Sequence, residues 1–333
     1  MTITVYVPCD SAALSVGADD VAAAIHEQAD MRGLDIQIIR NGSRGMCWLE
    51  PLVEVLHDGV RFAYGPVTGA DVPGLFDAGF LQAGHHDLAL GLTGALDWLA
   101  NQERLTFARV GVIDPLNLAD YQEHGGLVGL HRAIAMQRSE IVAEVTDSGL
   151  RGRGGAGFPT GIKWRTVSDL PDGQKYICCN ADEGDSGTFA DRMLMEGGPF
   201  CLWEGMAIGG LAVGASEGYV YIRSEYPHAI ATMKQAIRIW EDAGLLGPDV
   251  AGSGRPFRIK VRRGAGAYIC GEESSMLESM EGKRGTVRSK PPIPAVAGLF
   301  GMPTVVNNVL SLATVPVILA KGASFYKEYG MGR

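Results

Sequence analysis

The second half of the chain alternates short β-rich runs with long stretches of helical periodicity. The candidate strands are "KYICCNA", "GYVYIR" and "FRIKVRR", and "PHAIATMKQAIRIWEDAGLL" between them carries apolar residues at helical spacing. Alternation of this kind is typical of a mostly parallel sheet covered by helices. The sequence therefore predicts an α/β domain that covers residues 149–333.

A smaller α/β domain is predicted at the N-terminus, over residues 1–110. "ITVYVP" is β-rich, "DDVAAAIHEQADMRGL" has helical spacing with a glycine stop, and "DIQIIR" returns as a strand. "LVEVLHDGVRFAYGP" has the pattern of a hairpin. Two amphipathic helices, in "LVGLHRAIAM" and "SEIVAEVTDSGL", are expected to form a helical connection over residues 111–148. The charged residues of the first domain form no convergent set, so we expect it to serve docking rather than chemistry.

The charge and hydropathy of the chain exclude several classes of partner. The formal net charge is −9, which disfavours a general affinity for nucleic acid or for an anionic membrane. No apolar run approaches the roughly 18 residues of a membrane span, and the N-terminus has no signal-peptide pattern. We expect a cytoplasmic protein that binds no nucleic acid and does not insert into a membrane.

The cysteines argue against a metal site. The chain has six, without paired spacing: Cys9, Cys47, Cys178, Cys179, Cys201 and Cys270. We interpret them as reduced thiols that form neither a disulfide framework nor a zinc site. An iron–sulfur cluster held by this chain alone is not expected, because such clusters need about four converging thiolates.

Glycine accounts for 46 of the 333 residues and is clustered, above all in "GLRGRGGAGFPTGIKW", residues 149–164. Backbone N–H groups can approach a phosphate closely at glycines, here Gly152, Gly154, Gly155 and Gly157. Arg153 and Lys163 supply positive charge for a phosphate or a reduced ring, and Phe158 offers a face for stacking. The "GRGGAG" pattern follows a helix rather than a strand, so as a plain dinucleotide fingerprint it is weak. A flexible surface loop is the alternative.

Carboxylates and an amide follow a predicted strand in "CNADEGDSGTFADR", residues 179–192. Strand carboxyl ends are where ligands bind in open α/β sheets. Asn180 can both donate and accept hydrogen bonds, and Asp182, Glu183 and Asp185 can accept from sugar hydroxyls. An acidic capping turn is the alternative, and it explains one carboxylate more easily than three.

Two further stretches carry candidate site residues. In "GAGAYICGEESSMLESMEG", Glu272 and Glu273 begin a predicted helix, either simply as helix-start residues or as contacts to a ribose or carboxamide. In "PTVVNNVLSLATVP", Asn307 and Asn308 stand at the start of an apolar helix, as caps or as contacts to a phosphate. Capping explains one residue of that pair.

These motifs together with "YIRSEY" and "RSKPPIPAVAGLFGMPTVVNN" resemble the flavin- and NADH-binding subunit of respiratory complex I. The family includes the NAD-reducing hydrogenases and the β subunits of NAD-dependent, molybdenum-containing formate dehydrogenases. The resemblance covers about residues 149–320, and it implies a Rossmann-like domain that binds FMN and NAD(H). FMN would lie against the glycine loop, with one edge of its ring open to a nicotinamide.

The resemblance also implies roles for single residues. The FMN site would comprise Gly152, Arg153, Gly154, Lys163, Asn180, Asp182, Glu183, Tyr268, Gly271, Glu272, Asn307 and Asn308. NADH would contact Gly155, Phe158, Asp185 and Glu273. Lys163 would stabilise the reduced flavin, and Glu273 would hold the nicotinamide ribose or carboxamide.

Departures from the complex I pattern favour the formate dehydrogenase branch. Thr166 and Ile293 replace aromatic residues that complex I subunits often have, and Asp185 replaces a Glu. "NGSRGMCWLEPLVEV" resembles the thioredoxin-like extension of formate dehydrogenase β subunits. The family's C-terminal ubiquitin-like domain and its four-iron cluster domain have no counterpart here, so we expect a truncated chain, with that cluster only in the full-length form. The resemblance implies a two-iron ferredoxin-like γ subunit and a molybdenum-containing α subunit as partners.

The expected activity is therefore NADH:acceptor oxidoreduction, in which a hydride passes between NAD(H) and FMN. No side-chain acid or base is needed, since the cofactor carries the chemistry. Two alternatives remain: a complex I or hydrogenase subunit with the same flavin chemistry, or a non-catalytic subunit that binds a nucleotide for assembly only.

Overall fold

The computed structural model describes residues 2–329, which divide into two compact units. Unit 1 contains the described residues up to Asp120 together with Glu196–Gly198. Unit 2 contains Tyr121–Met195 and the described residues from Pro199 onward. None of the helices within residues 2–329 is long and apolar enough to cross a membrane.

Unit 1 is built on a five-stranded mixed sheet. Its strands and helices are β1 Ile3–Tyr6, α1 Ser11–Leu14, α2 Ala18–Arg32, β2 Ile36–Ile39, β3 Val53–His57, β4 Val60–Tyr64, α3 Val72–Asp77, β5 Ala89–Leu92 and α4 Asp97–Ala100. The strand order is β2-β1-β3-β4-β5. β1 and β2 are parallel, and β3, β4 and β5 continue the sheet in antiparallel fashion. This βαβ unit followed by a hairpin is the predicted thioredoxin-like fold.

The core of unit 1 lies between its sheet and α2. Val21 and Ile25 lie on one face of α2, four residues apart, and both are fully buried. They belong to one apolar cluster with Val5 of β1 and with Val53 and Val55 of β3. Residues two apart along a strand, or four apart along a helix, lie on the same face of that element, which accounts for this cluster.

Unit 2 is built on a four-stranded parallel sheet. Its helices and strands are α5 Leu118–Glu123, α6 Val128–Ile134, α7 Arg138–Asp147, α8 Thr160–Ser168, β6 Tyr176–Ala181, α9 Ala190–Gly197, α10 Pro199–Val213, β7 Glu217–Ile222, α11 Pro227–Asp242, β8 Arg258–Arg263, α12 Glu273–Met280, α13 Pro294–Ala297, β9 Thr304–Asn308, α14 Val309–Lys321 and α15 Ala323–Glu328. Helices α5 and α9 each contain residues that are assigned to both units. The strand order is β8-β7-β6-β9, and every neighbouring pair is parallel. The predicted α/β class with a mostly parallel sheet is confirmed.

Helices α10 and α14 form the apolar centre of unit 2. Every residue of α10 is buried, because the helix is hydrophobic on all sides. A side chain at Gly205 would place its Cβ 2.0 Å from the carbonyl oxygen of Leu312, so this glycine lets α10 approach α14 closely. On the other face of the sheet, Met276 and Leu277 of α12 pack with Tyr219 of β7.

Strand β9 was not predicted. Asn307 and Asn308 were expected at the start of a helix, whereas Thr304–Asn308 pair with β6 and the helix begins only at Val309. The five-residue strand runs directly into an apolar helix, and without a turn between them the two patterns merge. This strand brings both asparagines to the carboxyl edge of the sheet.

Candidate functional site

A cavity of about 740 Å³ opens at the carboxyl edge of the parallel sheet. All of the predicted site residues line it, from the glycine loop (residues 149–164), the end of β6 with the acidic loop after it (residues 182–189), the segment after β8 and the end of β9. Because parallel strands end at the same edge, residues far apart in the sequence meet there. The cavity is also lined by residues that were not predicted: Ala156, Gly184, Thr188, Ala190, Asp191, Ile269, Lys290, Val306 and Leu310.

The glycine loop is closed at its base and held against α14. The amide of Gly152 donates to the carbonyl of Phe158 at 2.9 Å, and the amide of Arg153 donates to Oγ of Ser311 in α14 at 2.9 Å. A Cβ on Gly154 would lie 3.3 Å from Cβ of Asn308. Gly155 has φ +111°, a conformation that L side chains rarely adopt. The loop therefore presents bare backbone to the cavity.

The cations of the glycine loop differ in their surroundings. The guanidinium of Arg153 donates to the hydroxyl of Tyr326 at 2.9 Å. Nζ of Lys163 donates to the carbonyl of Val306 at 2.8 Å and lies 3.3 Å from Oε2 of Glu273. Lys163 is therefore fixed between β9 and the start of α12, and it places a positive charge in the cavity.

Glu273 lies between two lysines. Its Oε2 pairs with Lys163, and its Oε1 lies 3.0 Å from Nζ of Lys290. Lys290 also pairs with Oε1 of Glu272 at 3.1 Å. The two glutamates and two lysines form a continuous row of alternating charge on the cavity wall. Lys290 belongs to "RSKPPIP", a stretch included in the family resemblance, but it was not singled out as a site residue.

Glu272 is the N-cap of α12. Its Oε2 accepts hydrogen bonds from the amides of Ser274 and Ser275, at 2.9 and 2.8 Å, and from Oγ of Ser274. Partial burial opposes ionisation, but these bonds and the ammonium of Lys290 outweigh it and lower the pKa of Glu272 to about 2. The helix-start interpretation accounts for this residue, and only its other oxygen is turned to Lys290.

Glu183 has a capping role within the acidic loop. Its carboxylate accepts from the amides of Asp191 and Arg192, at 2.9 and 3.1 Å, and from the hydroxyl of Tyr226 at 3.1 Å. The guanidinium of Arg223 donates to its backbone carbonyl. Protein donors thus hold Glu183 at both its backbone and its side chain, and they fix the loop that follows.

Asn180 and Asp182 mark the end of β6. The side-chain amide of Asn180 donates to the carbonyl of Gly271 at 2.8 Å, and its oxygen accepts from the amide of Asp182 at 3.1 Å. Asn180 thereby joins β6 to the segment after β8. Burial, partly offset by Arg223, raises the pKa of Asp182 to about 6.

Exposed aromatic rings border the cavity. Phe158 is 50% exposed and Tyr268 is 69% exposed. The hydroxyl of Tyr268 donates to Oδ1 of Asp185 at 2.6 Å. A Cβ at Gly184 would lie 2.6 Å from the Tyr268 ring, so the ring packs directly over that backbone. Exposed rings of this size can bind a flat ligand.

Asn307 and Asn308 play different parts. Asn307 accepts from the indole N–H of the buried Trp164 at 2.9 Å. Asn308 caps α14 by accepting from the amide of Leu310 at 2.9 Å, and its amide donates to Oδ2 of Asp191 at 2.7 Å. As the sequence indicated, capping explains one residue of the pair. The structure adds Asp191 as its partner.

Comparison with known proteins identifies the family. Residues 145–317 match the model of the Nuo51 FMN-binding domain. An NADH-quinone oxidoreductase subunit of Rhizobium meliloti is 50% identical over 232 residues, 69% of this chain and 55% of that protein. An NADP-reducing hydrogenase subunit of Solidesulfovibrio fructosivorans, HndC, is 49% identical over 229 residues, 69% of this chain and 46% of that protein. The chain spans about half the length of these relatives.

A solved structure extends the match to the N-terminal unit. An NAD⁺-reducing NiFe hydrogenase in the H₂-reduced state superposes with a TM-score of 0.57 and 29% identity, over 97% of this chain and 53% of the hydrogenase chain. The family model alone covers more than half of the residues. The chain therefore belongs to the family of the Nuo51 FMN-binding domain, and the resemblance stated from its motifs is confirmed.

Proposed function

We propose that this chain is the FMN- and NADH-binding part of an NAD-dependent flavoprotein oxidoreductase, a diaphorase that exchanges a hydride between NAD(H) and FMN. One observation carries the proposal: four separate segments, each with residues suited to a nucleotide, line one cavity at the carboxyl edge of the sheet. Membership of an FMN-binding family and relatives named for NADH and NADP support the same interpretation.

The cavity fits FMN in the chemistry of its walls. A Cβ on Gly155 would meet no protein atom within 4 Å, so the glycine loop leaves bare backbone and open space at the cavity wall, which suits a phosphate. Lys163 supplies a fixed positive charge, and Asn180 and Asp182 supply polar groups for a sugar or a ring edge. A cavity of this volume lies within the range of small-molecule sites.

In the proposed reaction the protein orients the nicotinamide and stabilises charge on the reduced ring. FMN, when bound, supplies the redox chemistry. Lys163, anchored by the carbonyl of Val306, places an ammonium where it stabilises negative charge on a reduced ring. Glu273 holds the ribose or carboxamide of the nicotinamide, and Phe158 stacks on the adenine. The remaining residues implied by the family resemblance form the flavin site.

A simple test separates this function from a non-catalytic one. The purified 333-residue chain, reconstituted with FMN, should show a flavin spectrum that bleaches when NADH is added without oxygen. A protein that stays colourless after reconstitution would instead support a docking subunit that binds a nucleotide for assembly only.

Glu273→Gln tests the nicotinamide contact. We expect NADH-driven dye reduction to fall by at least tenfold while FMN stays bound, because the ribose or carboxamide loses a charged partner, worth about 1.5–3 kcal/mol. Glu241→Gln, on the exposed face of α11, is the matched control and should leave turnover unchanged. Unchanged turnover of Glu273→Gln would remove this residue from the site.

For the intact assembly we propose the formate dehydrogenase branch. Formate would be oxidised on a molybdenum-containing α subunit, and electrons would pass between that subunit and the flavin through a two-iron ferredoxin-like γ subunit. In support, unit 1 has the thioredoxin-like sheet but only Cys9 and Cys47, too few for a two-iron cluster. Co-purification of a molybdenum subunit would support this branch, and co-purification of a NiFe or quinone-reducing partner would support the hydrogenase or complex I alternative.

A further inference from the structure

Asp191 is a cavity residue that was not singled out within the stretch 179–192. It lies in the first turn of α9, lines the cavity, and is 5% exposed. Its Oδ2 accepts the amide of Asn308 at 2.7 Å, and its other oxygen has no hydrogen-bond donor among residues 2–329. The carboxyl is thus buried in the protein on one side and open to the cavity on the other.

The position of Asp191 connects it to the glycine loop. Asn308, its hydrogen-bond partner, caps α14 and adjoins the glycine loop, since a Cβ on Gly154 would lie only 3.3 Å from Cβ of Asn308. The amide of Arg153 is bonded to the next turn of α14, at Ser311. The backbone surface suited to a phosphate and the Asp191 carboxyl therefore adjoin the same asparagine.

The groups that face Asp191 are mostly acidic or neutral. Glu183 faces it from the acidic loop, the thiol of Cys179 from β6, and the Asn308 amide from the start of α14. No Lys or Arg nitrogen among residues 2–329 lies within 4.0 Å of its carboxylate. The neighbouring guanidinium of Arg192 lies over the Phe189 ring, 4.4 Å from its centroid. Burial and Glu183, opposed by the Asn308 hydrogen bond, raise the pKa of Asp191 to about 7.

An ionised carboxylate beside a phosphate would repel it, whereas a neutral acid can donate to it. We propose that Asp191 binds the phosphate of FMN as a neutral acid, donating a hydrogen bond from Oδ1, so that each bound phosphate retains one proton on this residue. This inference rests on the proposed function, since it requires FMN in this cavity. It adds Asp191 to the residues that bind FMN, and it couples FMN binding to the protonation of this carboxyl group.

The test measures FMN affinity against pH. Flavin fluorescence gives the Kd of the flavin-free chain for FMN between pH 7.0 and 8.5, where a phosphomonoester, with a second pKa of about 6, is already doubly ionised. Asp182, whose pKa is raised to about 6, is also mostly ionised throughout this window. Because Asp191 loses its proton as the pH rises, we expect the Kd to increase, by up to about tenfold per pH unit.

Two comparisons test whether Asp191 and the phosphate cause the rise of the FMN Kd with pH. Asp191→Asn keeps a donor of the same shape, and it should bind FMN at pH 7.0 within a few-fold of wild type and with no rise in Kd up to pH 8.5. Riboflavin lacks the phosphate, so its Kd for the wild-type chain should not change with pH. Asp242→Asn, at the exposed end of α11, is the matched control and should keep the wild-type slope.

Several results would overturn the inference. A constant FMN Kd across this window, an equal slope for riboflavin, or a slope that persists in Asp191→Asn would each do so. If Asp191→Asn does not fold, the wild-type comparison of FMN with riboflavin decides alone. Tight FMN binding without pH dependence overturns this inference only, whereas no FMN binding at any pH overturns the proposed function as well.

Discussion

The two sheets of the molecule use buried charge in different ways. In the mixed sheet of unit 1, Glu54 is 1% exposed and is paired on both oxygens, with Arg44 at 2.7 Å and Arg61 at 3.1 Å. In the parallel sheet of unit 2, the charged residues at the strand ends line a cavity, and several keep an atom turned toward it. The Glu54 carboxylate is thus fully paired within the protein, whereas the charged residues of unit 2 can contact a ligand in the cavity.

Strand direction explains the difference. Antiparallel neighbours end at opposite edges, so the residues after β3, β4 and β5 do not collect at one place. All four strands of unit 2 run the same way, and their following segments meet at one edge. The comparison indicates that changes in unit 1 affect stability, whereas changes at the edge of the parallel sheet affect binding and turnover.

Glu54→Ala has the largest expected effect. It leaves Arg44 and Arg61 without their buried partner, and it should lower the free energy of unfolding by about 3–5 kcal/mol. Denaturant titration measures the loss, and Glu27→Ala on the exposed face of α2 is the control. Where the variant is still folded, its FMN Kd should equal that of wild type. A folded variant that no longer binds FMN would contradict the division between the units.

The second prediction concerns the pH dependence of unit 1. Burial raises the pKa of Glu50 to about 7, although hydrogen bonds from Ser43 and from the Leu52 amide oppose this. Between the unfolded value of 4.5 and pH 7 the folded state therefore holds more protons, and its stability falls as the pH rises, by roughly 3 kcal/mol in total. Glu50→Gln should remove this slope in thermal unfolding. If stability still falls with rising pH in the variant, groups other than Glu50 cause the slope.

Lys163→Met tests whether a charge on the cavity wall of unit 2 contributes to turnover. Removing the ammonium while keeping the length of the side chain should lower kcat for NADH-driven dye reduction by about 100-fold, or 2.7 kcal/mol, with little change in the unfolding midpoint. Lys260→Met, on strand β8 and outside the cavity, is the control. If kcat is unchanged in Lys163→Met, charge at this position has no part in the reaction.

Phe158→Ala has the smallest expected effect. Loss of a stacking face worth about 0.5–1.5 kcal/mol should raise the KM for NADH two- to tenfold and leave kcat nearly unchanged. Phe300→Ala is a matched control, since Phe300 is 52% exposed and does not line the cavity. An equal rise in both variants would show that the effect does not come from stacking at the cavity.

Much of the fold was predictable because its patterns are local. The strands β6, β7 and β8 and the hairpin of β3 with β4 follow from short β-rich runs between turn residues. The predicted site residues could be selected because glycines, carboxylates and amides are clustered in the sequence, and the structure brings these residues to one cavity. Their convergence follows once the sheet is parallel. Their roles toward FMN and NADH stay predictions.

The residues that were missed owe their roles to tertiary contacts. Lys290 lies in a proline-rich stretch, and only the fold brings it to Glu272 and Glu273. Asp191 looks like an ordinary first-turn acid until the fold buries it beside Asn308. Glu183 was predicted as a sugar contact, and its capping of α9 depends on a loop geometry that spacing does not specify. The sugar contact itself stays a prediction.

Each carboxylate oxygen of Glu273 pairs with a different lysine: Oε2 lies 3.3 Å from Nζ of Lys163, and Oε1 lies 3.0 Å from Nζ of Lys290. Rotation of this carboxylate would break both contacts, so its position on the cavity wall is fixed. In the proposed function, Glu273 would therefore offer the ribose or carboxamide of the nicotinamide a contact at one fixed distance from the glycine loop.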